Sequence, residues 1–152
     1  MNTTARFGLA ILGFILLAPA SAQDTNDDEA TAWLTVSQQW SANQKGGDDW
    51  VDEMLAADFM GWGVDSPAPR SKGSTRSWTR FNAQLGQMVQ HELYPLSVIV
   101  HGDVAIAHYL YTSAYKNKDG EIEINNGRYT DVLVRTEDGW QFIAWHGGND
   151  DE

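Results

Sequence analysis

The spacing of apolar residues changes once along this chain, near His91, and that change restricts the folds open to it. Before it, apolar side chains recur at three- and four-residue steps, as in amphipathic helices; after it they alternate, as in strands. Helices first and strands second predict an α+β domain, with helices laid on one face of an antiparallel sheet. Asn26 and Glu29 have the spacing of a capping box, and Ala30, Trp33, Val36 or Ser37, and Trp40 follow on one helical face until Gly46-Gly47 stops the run. Asp48 is placed to cap a short second helix in which Trp50 and Met54, and Val51 and Leu55, form i,i+4 pairs. Residues 58–63 read as a short strand, and Ser66-Pro67-Ala68-Pro69 as loop. A third helix is predicted from Ser74 to about Met88, with Trp78, Phe81, Leu85 and Met88 as its core-facing stripe.

Strands are predicted at 93–100, 104–115, 128–136 and 140–146, with turns at His101-Gly102-Asp103, at 116–120 and at Glu137-Asp138-Gly139. The stretch 121–136 reads as one long strand with a glycine bulge at Asn126-Gly127 rather than as another turn. No repeat, low-complexity tract or linker interrupts the 152 residues, so one domain is expected.

The first 22 residues stand apart. Arg6 precedes an apolar run at 7–18, then Pro19 and the small triplet Ala20-Ser21-Ala22, the three parts of a secretory signal peptide. The run is shorter than the ~20 residues a membrane-spanning helix needs. Cleavage near Ala22 and export to the periplasm or the medium are expected, leaving a domain at 23–152. With 21 acidic against 10 basic residues the formal charge is -11, which repels phosphate backbones and anionic lipid headgroups; neither nucleic acid nor a membrane surface is an expected partner. The absence of cysteine excludes disulfides, thiolate nucleophiles and cysteine-based metal centres. His91, His101, His108 and His146 have no short metal-binding spacing, residues 91–95 lack the second histidine of a zincin, and neither a glycine-rich phosphate loop nor a G-x-S-x-G elbow is present. Neither a metal nor another cofactor is expected.

Several features arrive in a specific order: the helical hairpin, Gly47-Asp48-Asp49 before its second helix, a strand over 101–111 that opens His-Gly-Asp, then 119–135 with the Gly127-Arg128-Tyr129-Thr130 run, and the Asp-Gly-Trp turn leading into 140–146. In this order the sequence resembles the SnoaL-like branch of the nuclear transport factor 2-like superfamily, over nearly the whole of 23–152. The resemblance implies a curved antiparallel sheet wrapped as a cone around three N-terminal helices, with a pocket inside and frequent pairing of subunits through the outer sheet face. Its members include ketosteroid isomerase, polyketide cyclases, dehydratases and oligomerising domains, so the fold does not select a function.

The residues bear separately on pairing. From Val104 to Thr112 one parity carries Val104, Ile106, His108, Leu110 and Thr112, and the other Ala105, Ala107, Tyr109 and Tyr111. Both are largely apolar, whereas a sheet with one solvated face alternates, so a covering partner, most simply a second copy, is expected. The resemblance implies that the His108 side is concave, with Leu110 beside it, and that Tyr129 and Asp131 face the same hollow. His108 and Asp131 would then form an acid–base pair. Tyr94, Tyr129 and the tryptophans Trp62, Trp78 and Trp145 would supply a phenolic donor and apolar walls. The alternative is a polar pair that satisfies itself in a cavity without chemistry. His146 matches a histidine frequent in the last strand of the family, yet Gly148 stands where a serine is common, which leaves capping of the sheet as its other role. Arg128 has two open readings: a contact to a ligand carboxylate, or a cross-strand ion pair. The basic cluster Arg70, Lys72, Arg76 and Arg80 either draws an anion to the pocket mouth or balances the acidic hairpin. Three readings of function stay open: a binder of a small, partly apolar organic molecule; a cofactor-free isomerase, cyclase or dehydratase; and an assembly domain without chemistry.

Overall fold

The computed structural model describes residues 22–150; the segment read as a signal peptide lies outside the described residues except for Ala22. The elements are α1 (Ala22–Lys45), α2 (Asp49–Met54), β1 (Leu55–Gly63), β2 (Arg70–Ser71), α3 (Lys72–Asn82), β3 (Gly86–His101), β4 (Val104–Asn117), β5 (Ile122–Thr136) and β6 (Gly139–Asn149). One six-stranded sheet runs β2-β1-β6-β5-β4-β3. All neighbours are antiparallel except β1 and β6, which run parallel. The α+β cone expected from the sequence is the observed architecture, with the sheet curved and unclosed.

The first helix starts upstream of the expected capping box, so Asn26 and Glu29 lie within it. It buries Ala32 and Val36, with Trp33 and Trp40 packed at the edge of the same core. Long polar side chains pin it to the sheet. Trp40 Nε1 donates to Tyr109 Oη at 2.8 Å, Trp140 Nε1 to Thr31 Oγ1 at 3.2 Å, and Gln44 Nε2 to the Val89 carbonyl at 2.8 Å. Asp48 precedes α2 without capping it. Its carboxylate instead accepts from Arg80 Nε at 2.9 Å and pairs with Arg76, which also binds Asp52. The end of α2 is held from outside: Lys72 Nζ donates to the Asp52 and Leu55 carbonyls at 3.1 and 2.5 Å, the favoured place for a cation at a helix terminus.

The third helix differs from expectation at both ends. Ser71 caps it, accepting from the Ser74 amide, and it stops at Asn82. Leu85 and Met88 fall beyond it, Met88 already in β3. Trp78 and Phe81 are substantially exposed, so the expected stripe does not face the core; Thr75 is the buried residue of α3.

The four long strands pair continuously and curl the sheet around α1. Bulges between Met88 and Gln90 and between Pro95 and Ser97 in β3, and at Ile143 in β6, opposite Val132 and Leu133, sharpen the bend. The expected bulge at Gly127 is absent: β5 keeps register with β4 through that position. Gly127 serves a different need, because a Cβ there would overlap the Gly148 carbonyl and lie 2.7 Å from the Tyr111 hydroxyl.

Strand parity in β4 reverses the expectation. Ala105, Ala107, Tyr109 and Tyr111 are buried on the concave side, and Ala105 and Ala107 join Ala32 and Val36 in one core with Leu55, Phe59, Leu133 and Phe142. Small side chains at 105 and 107 let a helix backbone approach the sheet. Val104, Ile106, His108, Leu110 and Thr112 therefore face outward.

Candidate functional site

The concave sheet face and the three helices line a partly open cavity of about 450 Å³ between them. Aromatic rings form most of its wall: Trp40 from α1, Trp50 from α2, Trp78 from α3, Tyr109 and Tyr111 from β4, Tyr129 from β5 and Trp145 from β6. The rings brace one another. Tyr129 stacks at 6.1 Å on Tyr109, Trp40 packs at 4.7 Å from Tyr111, and Trp145 meets Phe59 edge-on at 4.5 Å. Gly61 of β1 leaves room for the Trp145 indole, which a Cβ at that position would strike.

At one end of the cavity sits Asp131, 2% exposed. Cross-strand register places it between Ala107 on β4 and Trp145 on β6. Tyr109 Oη donates to its Oδ2 at 2.9 Å, and that hydroxyl in turn accepts from Trp40 Nε1. The chain of donors ends on the carboxyl group. Burial pushes the Asp131 pKa up to about 7, and the Tyr109 hydrogen bond offsets only part of that. A carboxyl group in that range is present in both protonation states near neutrality. Burial foremost, with the nearby Asp131 charge, raises the Tyr129 phenol to about 12, so it stays a neutral donor at ordinary pH.

A second polar group lies where β5 meets β6. Tyr111 Oη donates to Asn149 Oδ1 at 2.5 Å, and Asn149 Nδ2 donates to Asn125 Oδ1 at 3.1 Å. On the helix side, Trp50 Nε1 and Thr75 Oγ1 are buried with no hydrogen-bond partner, and Arg70 lies over the Trp78 ring at 4.1 Å from its centroid. Among the described residues no group of three or more His, Asp or Glu side chains is arranged to hold a metal ion.

The structure brings together Tyr129, Asp131, Trp78 and Trp145 of the residues singled out from the sequence. It does not bring His108 to them. His108 pairs across strands with Thr130, sharing a hydrogen bond of 2.9 Å between Nδ1 and Thr130 Oγ1 on the convex face. No His108–Asp131 pair forms, because the two residues occupy opposite faces of adjacent strands. Leu110 and Tyr94, paired across β4 and β3, are exposed on that outer side, with the Tyr94 hydroxyl on Glu92. Arg128 is exposed and ion-paired with Asp150 at 2.7 Å. Trp62 donates to the Ser66 carbonyl and meets the exposed His146 ring edge-on at 6.0 Å; neither lines the cavity. The sequence reading missed Tyr109 as the donor to Asp131 and Trp40 as the donor to Tyr109, having placed Tyr109 on the outer face. The available signal was the pair of alanines sharing the Tyr109 parity, which marks the side a helix can approach.

A curved, unclosed, mostly antiparallel sheet packed on N-terminal helices is the α+β fold of a nuclear transport factor 2-like cone. The sequence profile of the SnoaL-like domain matches residues 31–148, and the chain belongs to that family. No curated protein matches it. Among solved structures, it is similar to a ketosteroid isomerase-like protein from Erwinia carotovora atroseptica, at 15% identity over 84% of this chain and 99% of the other, with a TM-score of 0.73. It is also similar to a nuclear transport factor 2-like superfamily protein from Salmonella enterica serovar Typhimurium, at 12% identity over 84% and 94% of the two chains, TM-score 0.70. A third, a nuclear transport factor 2-like protein of unknown function in nutrient uptake from Rhodospirillum rubrum, shares 21% identity over 76% of this chain and 95% of its own, TM-score 0.65. At these identities the likeness is one of fold.

Proposed function

We propose that this SnoaL-like domain is exported and binds a small, partly apolar organic molecule in the cavity beneath its sheet, as a homodimer. One observation carries the binding reading: about 450 Å³ of space lined by braced aromatic rings, with a buried carboxyl group at one end. Pockets for small organic ligands have this make-up, mostly apolar walls with a few placed polar groups. Export rests on the sequence of residues 1–22. Dimerisation rests on the convex face, where Leu110, Ile99, Ile122 and Ile124 are exposed beside His108 and Thr130. A second copy on that face would bury them.

A second reading, turnover by proton transfer, is favoured by Asp131. With a pKa of about 7 its carboxylate can take a proton from a carbon next to a carbonyl and return it at another position, giving an isomer with no net change in composition. Tyr109 holds that carboxylate, and Tyr129 is the phenol nearest in role to an oxyanion donor.

The test is native mass spectrometry of the secreted protein purified from its own source. The expected result is a dimer carrying an organic molecule that is lost on denaturation, with an N-terminus near residue 23. A ligand-free species that none of a panel of cyclic ketones and acids stabilises against heat refutes the binding reading, and a monomer refutes the pairing. If the second reading holds, Asp131→Asn retains the ligand and loses its isomerisation.

A further inference from the structure

The basic cluster at 70–80 divides in the structure. Arg76 and Arg80 are taken up by Asp48 and Asp52, and Lys72 by backbone carbonyls. Elsewhere, Arg128 pairs with Asp150, and Arg135 with Asp28 and Asp103. Arg70 alone among the described arginines has no carboxylate within 4.0 Å, and it lines the cavity. Its guanidinium carbon lies over the Trp78 ring, 4.1 Å from the centroid. A cation held over a ring in this way keeps N–H donors for an acceptor.

Arg70 interrupts a wall that is mostly aromatic, with Trp50, Trp78, Tyr129 and Trp145 around the same hollow. A carboxylate suits such a group: it offers about four acceptor sites and the opposite charge, and its two oxygens match the guanidinium fork.

We propose that the occupant of the cavity is an organic acid: a ring compound whose carboxylate is bound by Arg70 and whose apolar body lies between the aromatic walls. The proposal rests on the reading of the cavity as a ligand site and names the class of molecule. Arg70, Tyr129 and Asp131 line the same hollow, and Tyr129 is within electrostatic reach of Asp131, of Asp65 and, less strongly, of Arg70. Because the protein as a whole is strongly acidic, an anion gains nothing from long-range attraction, and its recognition depends on this local cation.

The experiment is titration calorimetry of the 23–152 protein with naphthoate and with acetylnaphthalene, the neutral methyl ketone at the same ring position. Naphthoate is expected to bind about ten-fold or more tighter than the ketone, the range of a charge-assisted contact. Arg70→Gln brings naphthoate down to the level of the ketone and leaves the ketone unaffected. Arg80→Gln makes the same change in net charge at a residue paired with Asp48 and alters neither. Equal binding of the two probes, or an equal loss in Arg70→Gln and Arg80→Gln, overturns the organic-acid assignment and leaves the cavity reading standing. If neither probe binds the unaltered protein, both fall.

Discussion

Replacing Asp131 by Asn should make the protein more stable at alkaline pH and not at acid pH, and the size of the effect follows from burial. The carboxyl pKa is about 7 in the folded protein against a reference of 3.8, a difference of about three units. At ~1.36 kcal/mol per unit, holding the ionised form in place costs about 4 kcal/mol. The sign follows from which state binds the proton more tightly. Below the unfolded value both states are protonated and the stabilising contribution of the neutral group is fully present. As pH rises the unfolded chain ionises first, so stability falls, and it stops falling once the folded carboxyl has also ionised above about 7. Asparagine does not titrate and can still accept from Tyr109. Urea unfolding followed by tryptophan fluorescence, at about pH 4 and about pH 8.5, should show Asp131→Asn gaining up to ~4 kcal/mol over the unaltered protein between those conditions. Other carboxylates titrate alike in both proteins and cancel in the difference. A difference constant to within ~1 kcal/mol across that range would mean that Asp131 titrates as an exposed aspartate does, and the account of the cavity floor would be wrong.

Three other outcomes are expected. Tyr109→Phe removes the donor that partly offsets burial at Asp131, so the Asp131 carboxyl should titrate above 7, measurable by carbon NMR of the labelled side chain. The same change leaves Trp40 Nε1 without its acceptor and should destabilise by about 1–3 kcal/mol. Gly127→Ala places a methyl group against the Gly148 carbonyl and the Tyr111 hydroxyl and should cost about 1–3 kcal/mol in urea unfolding; an unchanged midpoint would show that the β5–β6 contact is looser than described.

The element order and the four long strands were legible because their periods differ and their turns carry glycine and aspartate. The site was only half legible. Of the residues singled out, Tyr129, Asp131, Trp78 and Trp145 line the cavity, whereas His108 faces outward. The cause is physical: β4 is apolar on both sides, so alternation alone does not say which side is inside. Side-chain size decides it. Ala105 and Ala107 fit beneath a helix, while Val104 and Ile106 suit an outer surface. The third helix was overextended because Leu85 and Met88 continue its spacing, although Gly86 opens the next strand. Trp50 and Thr75 gave no sign in the sequence, since a missing hydrogen-bond partner exists only in three dimensions.

The parallel pairing of β1 with β6 ties residues 55–63 to residues 142–147, so the strand made first among the six waits for the one made last. Until the C-terminal segment arrives, β1 has only the two-residue β2 beside it, and Phe59 lacks the Trp145 ring that covers it. Contacts so distant in sequence slow folding. A nascent chain of this kind therefore stays incomplete until residues 139–149 have been made, and disrupting that strand should release β1 and β2 as well.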